Sequence, residues 1–309
     1  MADKNINLLK MIRAPFLSSV YAPIFAGTSA AVLITGNFDF FSFIIVLIFG
    51  TGLHAATNVY NDIYDTIQGT DKINIHRNEF SGGSGVLVDN PELFPKMYWI
   101  ARGSLIIAFL SLLILLTRID ASLYYYLISL FLLSAFFSKY YTAAPLKLSY
   151  RGLGEISVWF AFGPMGVLVG AVSQNIGLHE GIIAIMPATG LSTLSILWLG
   201  QLIDLPADQA TGKLGLVARL GSSKSKKIFP FIHLMILLNI ILIPFIFHES
   251  NFLVYLPLIP YLLLLPKIIR IVLKKEDGME NLKAAAKLNV MLHILFSATY
   301  SLGIIIQLI

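Results

Sequence analysis

The chain has 309 residues, of which 57% are hydrophobic and only 13% are charged, and its mean hydropathy is +0.79. This composition excludes an ordinary soluble domain and predicts an all-α, polytopic membrane protein in contact with the lipid bilayer. The absence of cysteine excludes disulfides and thiolate metal sites, and a net charge of +5 in a membrane protein indicates basic loops at one membrane face rather than nucleic-acid binding.

Nine apolar segments are long enough to cross a bilayer, and we expect the whole chain, 1–309, to form a single membrane domain. Three prolines in the eighth segment predict a kinked helix there. The predicted spans are 15–35, 40–62, 96–117, 121–140, 153–173, 181–203, 227–247, 251–272 and 286–307.

The distribution of basic residues predicts the topology. Of the 22 Lys and Arg residues, all except Arg118 fall in segments that nine spans place on one side of the membrane. The positive-inside rule assigns that side to the cytoplasm, so we expect a cytoplasmic N-terminus.

The first polar cluster lies at the cytoplasmic end of the second span. Asn58, Asp62 and Asp65 share one helical face, Asn61 lies one turn before Asp65, and Asp71 follows shortly after. Carboxylates are costly at a membrane boundary and unfavourable at the negative end of a helix dipole. The cluster therefore predicts a cationic partner.

The second polar cluster lies at the end of the sixth span. Asp204 and Asp208 are four residues apart and would share a helical face, although Pro206 between them would bend or end the helix. Because the second and sixth spans both run toward the cytoplasm, the two clusters are predicted to meet at that face.

Two facing carboxylate clusters with basic residues nearby indicate diphosphate chemistry. Magnesium binds a few carboxylates together with substrate phosphate oxygens, and a metal-bound diphosphate is a better leaving group. The apolar spans would accommodate an isoprenoid tail and keep water from an allylic cation. Basic side chains nearby could neutralise the diphosphate, or they could serve only to set the membrane topology. They are Lys72, Arg77, Lys147, Arg151 and Lys213.

On these residues the chain resembles the UbiA superfamily of intramembrane prenyltransferases, in the form of its dihydroxynaphthoate (menaquinone-pathway) branch. The resemblance is carried by Asn61-Asp62-x-x-Asp65 with Gly69-x-Asp71, by Tyr150-Arg-Gly-Leu-Gly-Glu155, and by Asp204-x-x-x-Asp208 with Gly212-Lys213. The chain departs from the branch at Gln201, where asparagine is expected, and in the Ser/Gly-rich residues 81–85.

The resemblance implies nine helices, Mg²⁺ as cofactor, a polyprenyl diphosphate donor and an aromatic acceptor, with 1,4-dihydroxy-2-naphthoate as the best candidate. It implies catalytic aspartates at Asp62, Asp65, Asp204 and Asp208, which bind metal together with Asn58 and Asp71. The implied diphosphate-binding residues are Asn58, Asn61, Lys72, Arg77, Lys147, Arg151 and Lys213. His54 and Tyr141 are the candidates for the acceptor pocket.

Several alternatives stay open at this point. His54 could instead be a histidine packed in the core, and Tyr141 could be an aromatic residue at the membrane interface. Residues 81–85 could form either a phosphate-binding nest or a flexible loop. A membrane terpene cyclase would use the same ionisation without an acceptor. An ion-coupled transporter would place its acids near mid-span, where this sequence has none. Prenyl chain length and oligomeric state are not indicated.

Overall fold

The computed structural model describes residues 7–78, 81–274 and 278–308. In these ranges nine helices are long and apolar enough to cross a membrane, which confirms the predicted all-α class and the number of spans. They are α1 Ser18–Thr35, α2 Phe40–Gln68, α3 Phe94–Leu116, α4 Tyr124–Tyr140, α5 Gly154–Val172, α6 Glu180–Ala210, α7 Leu216–Ile246, α8 Leu258–Val272 and α9 Met279–Ile305.

Two helices extend beyond their predicted cytoplasmic ends. Helix α2 continues to Gln68 and α6 to Ala210, so Pro206 does not end α6. At 1.5 Å per residue, a helix of 29 residues is about 43 Å long, which exceeds the ~30 Å hydrocarbon core. The aspartates of α2 and α6 therefore lie on helical turns rather than in loops, and Gly69 ends α2 in a left-handed conformation (φ +91°).

Two other helices begin earlier than predicted. Helix α7 starts at Leu216 and is broken by the non-helical Gly221 (φ +75°, ψ 168°), whereas the sequence predicted a start at 227. Helix α9 starts at Met279 rather than 286. Both early turns carry lysines, and hydropathy detects only the part of a helix that lies in lipid.

Arg118, the one basic residue that the topology prediction places on the other side of the membrane, stabilises the end of the bundle opposite the aspartate motifs. Arg118, just after α3, donates hydrogen bonds to both carboxylate oxygens of Asp39, at 3.0 and 2.8 Å, and to Ser42 Oγ at 3.0 Å. Asp39 in turn caps the start of α2. Arg118 therefore ties α3 to α2 at the end opposite the aspartate motifs.

Helices α5 and α6 approach closely because glycine lies on both sides of their contact. A Cβ atom on Gly163 would lie 2.6 Å from the carbonyl oxygen of Met186, and one on Gly190 would overlap the carbonyl of Trp159. Small residues permit such backbone approach in membranes, where packing rather than water drives association. This contact positions the α5 and α6 residues that line the cavity described below.

We expect Gly190→Ala to destabilise the protein by about 1–3 kcal/mol, because the added methyl group separates α5 from α6. Gly103→Ala is the matched control, since a Cβ atom there meets nothing within 4 Å. Thermal unfolding in detergent measures both. Equal melting temperatures for the two variants would contradict the assigned packing.

Candidate active site

A cavity of about 260 Å³ runs from the carboxylate end of the bundle into its apolar interior. Asp65 and Phe49, both on α2, line it at levels about 24 Å apart along the helix axis. Side chains from α1, α2, α4, α5 and α6 form its wall. The cavity thus has its carboxylates at one end and a mostly apolar wall, with a few neutral polar side chains, over the rest of its length.

Lys213 joins the two aspartate motifs at the polar end. Its Nζ lies 2.8 Å from Asp65 Oδ2 and 4.0 Å from Asp208 Oδ1, and Tyr150 Oη donates a 2.7 Å hydrogen bond to Asp65 Oδ1. Burial alone would lower the pKa of Lys213, but the charges of Asp65 and Asp208 outweigh it and raise that pKa well above its usual range. This is the cationic partner that the first cluster predicted.

The loop after α2 also connects the two motifs, through its backbone. The N–H of Ser84 donates to both oxygens of Asp62, at 3.2 and 3.3 Å, and the N–H of Gly82 donates to Asp204 Oδ2 at 3.0 Å. Asn74 Nδ2 donates to Asp204 Oδ1 at 2.8 Å. In this structure the N–H groups of Gly82 and Ser84 therefore bind carboxylates rather than lying open for a phosphate.

Asp71 and Asp208 present further carboxylates to the cavity. Asp71 lies in the short helix Thr70–Ile73, and its side chain is buried. Burial, together with the charges of Asp65 and Asp62, raises the pKa of Asp71 well above its usual range. Asp208 Oδ1 is buried without a hydrogen-bond partner in the described part of the chain. A bound cation would stabilise the negative charge of both carboxylates.

Four further residues predicted for the site line the cavity. Asn58 donates from Nδ2 to the carbonyl oxygen of Ile12 at 3.0 Å, and Asn61 Oδ1 accepts from a threonine hydroxyl at 2.6 Å. His54 and Tyr141 lie in the wall as well. Burial, and then the charge of a nearby glutamate, raise the pKa of Tyr141, so its hydroxyl remains protonated.

Asp62 is the one predicted aspartate outside the cavity lining. It is buried, with Arg13 Nη1 3.9 Å away in addition to the Ser84 N–H. The distribution of basic residues indicates only a topological role for Arg13, yet Arg13 lines the cavity. The feature of the sequence that could have indicated this is the position of Arg13 directly before the first span.

Two basic residues near the first motif do not line the cavity. Lys72 is exposed. Arg77 donates from Nη2 to the carbonyl oxygen of Asp71 at 2.8 Å and lies 3.8 Å from Asp89. The structure therefore gives Arg77 a role in holding its own loop, which a count of charges does not reveal.

The basic residues after α4 also lie outside the cavity lining. Lys147 Nζ is 5.5 Å from the centroid of the Tyr150 ring, and Arg151 donates from Nη2 to the carbonyl oxygen of Pro145 at 2.9 Å. Lys213 is thus the one residue of the five predicted diphosphate-binding cations that reaches the cavity.

Gln201, the departure from the expected asparagine, is part of a buried contact between α5, α6 and α7. Its Nε2 donates to Glu155 Oε1 at 2.8 Å, and the same oxygen accepts from the backbone N–H of Leu216 at 2.7 Å. Glu155 lies in the first turn of α5, where the helix dipole favours a carboxylate. Gln201 also lines the cavity.

The donor set of the cavity fits Mg²⁺ as a partial ligand set. Four carboxylates offer hard oxygen ligands to one space: Asp65, Asp71, Asp204 and Asp208. Asp208 Oδ1 accepts no hydrogen bond from the described residues. Within residues 7–78, 81–274 and 278–308, no three His, Cys, Asp or Glu side chains are close enough to form a complete metal cage. Mg²⁺ usually takes one or two carboxylates and completes its shell with water and substrate phosphates.

A family model agrees with this arrangement. The model of the UbiA prenyltransferase family matches residues 20–291. The chain belongs to this family. It is therefore an integral membrane protein of a prenyltransferase family, as the sequence motifs indicated.

Two curated relatives of this UbiA chain have a naphthoquinone or a naphthoate in their names. The 2-carboxy-1,4-naphthoquinone phytyltransferase of Synechocystis is 25% identical over 71% of this chain and 68% of its own length. The 1,4-dihydroxy-2-naphthoate octaprenyltransferase of Mycobacterium tuberculosis is 28% identical over 69% of each chain.

Solved UbiA structures share the fold. A UbiA homolog from Aeropyrum pernix superposes with a TM-score of 0.68 at 16% identity, covering 94% of this chain and 98% of that one. A homolog from Archaeoglobus fulgidus, solved with DMAPP and Mg²⁺, superposes with a TM-score of 0.61 at 14% identity, covering 95% and 98%. At these identities the likeness shows the nine-helix fold.

We expect Lys213→Met to destabilise the protein by about 3 kcal/mol, because it leaves the buried Asp65 carboxylate without its cation. Lys147→Met is the matched control: both ammonium groups lie near the Tyr150 ring, at 5.6 and 5.5 Å from its centroid, but no carboxylate of the described residues lies within ion-pair distance of Lys147. The control should cost about 1 kcal/mol or less. Unfolding in detergent measures the difference, and equal losses would contradict the bridging role of Lys213.

Proposed function

We propose that this UbiA-family chain transfers a prenyl group from a polyprenyl diphosphate to an aromatic acceptor, with Mg²⁺ as cofactor. The observation that carries the proposal is the cavity itself. One end combines Asp65, Asp71 and Asp208 with Lys213, and the other is an apolar channel long enough for an isoprenoid tail. We propose that the whole chain, 1–309, forms one domain that carries out this reaction.

In this proposal the carboxylate end binds the diphosphate. Asp65, Asp71, Asp204 and Asp208 would hold Mg²⁺ from the cavity side. Asp62, which lies outside the lining, would support them through its hydrogen bonds from the N–H of Ser84. Bound Mg²⁺ would stabilise the negative charge that develops on the departing diphosphate.

The chain's own side chains supply the remaining electrostatics. Lys213 stays charged because of its raised pKa, and its ammonium group has three donors, so it can turn from Asp65 and Asp208 toward a diphosphate oxygen. Tyr150 stays protonated because burial and the charge of Asp65 raise its pKa, and it holds Asp65 in place. The apolar wall keeps water from the allylic cation.

The best candidate for the acceptor is 1,4-dihydroxy-2-naphthoate. The relatives from Synechocystis and Mycobacterium tuberculosis both carry a naphthalene-ring substrate in their names, which supports this choice. His54 and Tyr141 in the cavity wall are the pocket residues for the ring. We propose that the carboxylate end faces the cytoplasm, because the basic loops lie on that side of the bundle.

The direct test is Mg²⁺-dependent release of diphosphate from geranylgeranyl and farnesyl diphosphates in detergent, with and without dihydroxynaphthoate. We expect release to require both Mg²⁺ and the acceptor, and to fall at least about 100-fold in Asp208→Asn and Asp62→Ala, because charge stabilisation is lost. Asp89→Asn is the control: this carboxylate ends the short helix Val86–Asp89, outside the cavity lining, and its side chain is 62% exposed.

The other outcomes discriminate the alternatives. Release without acceptor, together with a cyclic hydrocarbon product, would make the chain a terpene cyclase. No release from either donor, with folded protein and several quinone precursors tried, would contradict the proposed transferase.

A further inference from the structure

Three buried side-chain atoms in the cavity lining have no hydrogen-bond partner among the described residues: Asp208 Oδ1, Gln201 Oε1 and His54 Nδ1. The first belongs to the carboxylate end discussed above. The other two are neutral groups farther inside, and neither the metal nor the diphosphate accounts for them. A buried polar atom left unpaired costs free energy, so each of them calls for a partner.

Both groups lie deeper in the cavity than the carboxylates. His54 precedes Asp65 by eleven residues on α2, which is about 16 Å along the axis, and Gln201 precedes Asp208 by seven residues on α6, about 10 Å. Helices α2 and α6 both run toward the carboxylate end. His54 therefore lies on the apolar side of the carboxylates. Gln201 lies one turn before Asp204 on α6, and its Nε2 is close to Gly215, so it lies at the boundary between the polar end and the apolar wall.

Neither side chain is free to turn away from the cavity. Gln201 Nε2 is held by Glu155 Oε1 at 2.8 Å, which fixes the amide with its oxygen as the unpaired atom. The His54 ring packs edge-to-face on Phe162, with centroids 5.2 Å apart. Phe162 lies in the π-helical turn Ala161–Met165 of α5, a local irregularity of the kind often found at functional sites.

Other polar side chains of the wall already have partners. Thr57 and Ser157 each donate to the carbonyl oxygen four residues earlier, and Asn61 Oδ1 accepts from Thr142. Among the neutral side chains of the wall, His54 and Gln201 are the ones that hold a buried acceptor atom without a hydrogen-bond partner in the described residues. In a buried, mostly apolar place the neutral imidazole is favoured, and with its proton on Nε2 it presents Nδ1 as an acceptor.

We propose that His54 Nδ1 and Gln201 Oε1 accept hydrogen bonds from the hydroxyl groups of an aromatic diol, and so bind and select the acceptor substrate. A prenyl tail has no donor and would leave both atoms unpaired. A ring with two hydroxyl groups satisfies both, and a site built to pair with a hydroxyl discriminates against analogues that lack it. This assignment rests on the proposed function, and it names the residues that recognise the acceptor.

The test compares His54→Leu, Gln201→Leu and the control Ser111→Ala with the unmodified protein, in steady-state kinetics with dihydroxynaphthoate and geranylgeranyl diphosphate. Each leucine variant should raise the KM for the acceptor about tenfold, the effect of one lost hydrogen bond. The KM for the prenyl diphosphate should change less than twofold. The control should change neither, because Ser111 lies on α3 outside the cavity lining and its hydroxyl donates to the carbonyl oxygen of Ile107.

Methoxy analogues separate recognition from a structural effect. Blocking a hydroxyl of the acceptor should weaken its equilibrium binding to the unmodified protein about tenfold and cause no further loss in the variant that has lost the matching acceptor atom. His54→Gln, which restores an acceptor oxygen, should recover part of the affinity. Equal penalties from the methoxy group in every variant would overturn the assignment.

Two outcomes distinguish this inference from the proposed function. If the unmodified protein makes prenylated product but His54→Leu and Gln201→Leu raise only the KM for the prenyl diphosphate, the two residues line the tail and the assignment is wrong. If the unmodified protein makes no product with any aromatic acceptor, the proposed function fails and the assignment with it. Retained prenyl diphosphate binding shows that each variant is folded.

Discussion

The contact on which the site depends is the ion pair of Lys213 with Asp65, extended to Asp208. The two carboxylates come from α2 and α6, at helix ends where the dipole adds negative potential, next to an apolar cavity. Without a cation between them, this arrangement would carry uncompensated buried charge. Lys213 thus both permits the two motifs to meet and leaves a positive group where a diphosphate would bind.

The loop after α2 adds a second connection between the motifs. Its backbone N–H groups at Gly82 and Ser84 satisfy Asp204 and Asp62, and Arg77 holds the loop through the carbonyl of Asp71. Gly82 has a φ of +79°, which an L-residue with a side chain adopts only with strain. The glycine-rich composition of the loop is therefore explained by the turn that directs its N–H groups at the carboxylates.

Much of the fold could be predicted from the sequence, because hydropathy locates nine spans. The aspartate motifs could be predicted as one site because helical spacing and topology place them at the same end. Which basic side chains line the cavity could not be predicted, because composition and spacing do not specify where a long side chain reaches. Arg13 and Lys213 line the cavity, whereas Lys72 does not. Contacts such as Gly82 with Asp204 join residues far apart in the chain, and no local pattern encodes them.

The central claim is that both aspartate motifs act together on one metal-bound prenyl diphosphate. Equilibrium binding of an unreactive thiodiphosphate analogue of geranylgeranyl diphosphate, with Mg²⁺ or with EDTA, tests it most directly. The account predicts that binding weakens strongly in EDTA, and to a similar degree when either Asp65→Asn or Asp208→Asn is introduced in the presence of Mg²⁺. Tight binding in EDTA, or binding insensitive to one of the two substitutions, would contradict it.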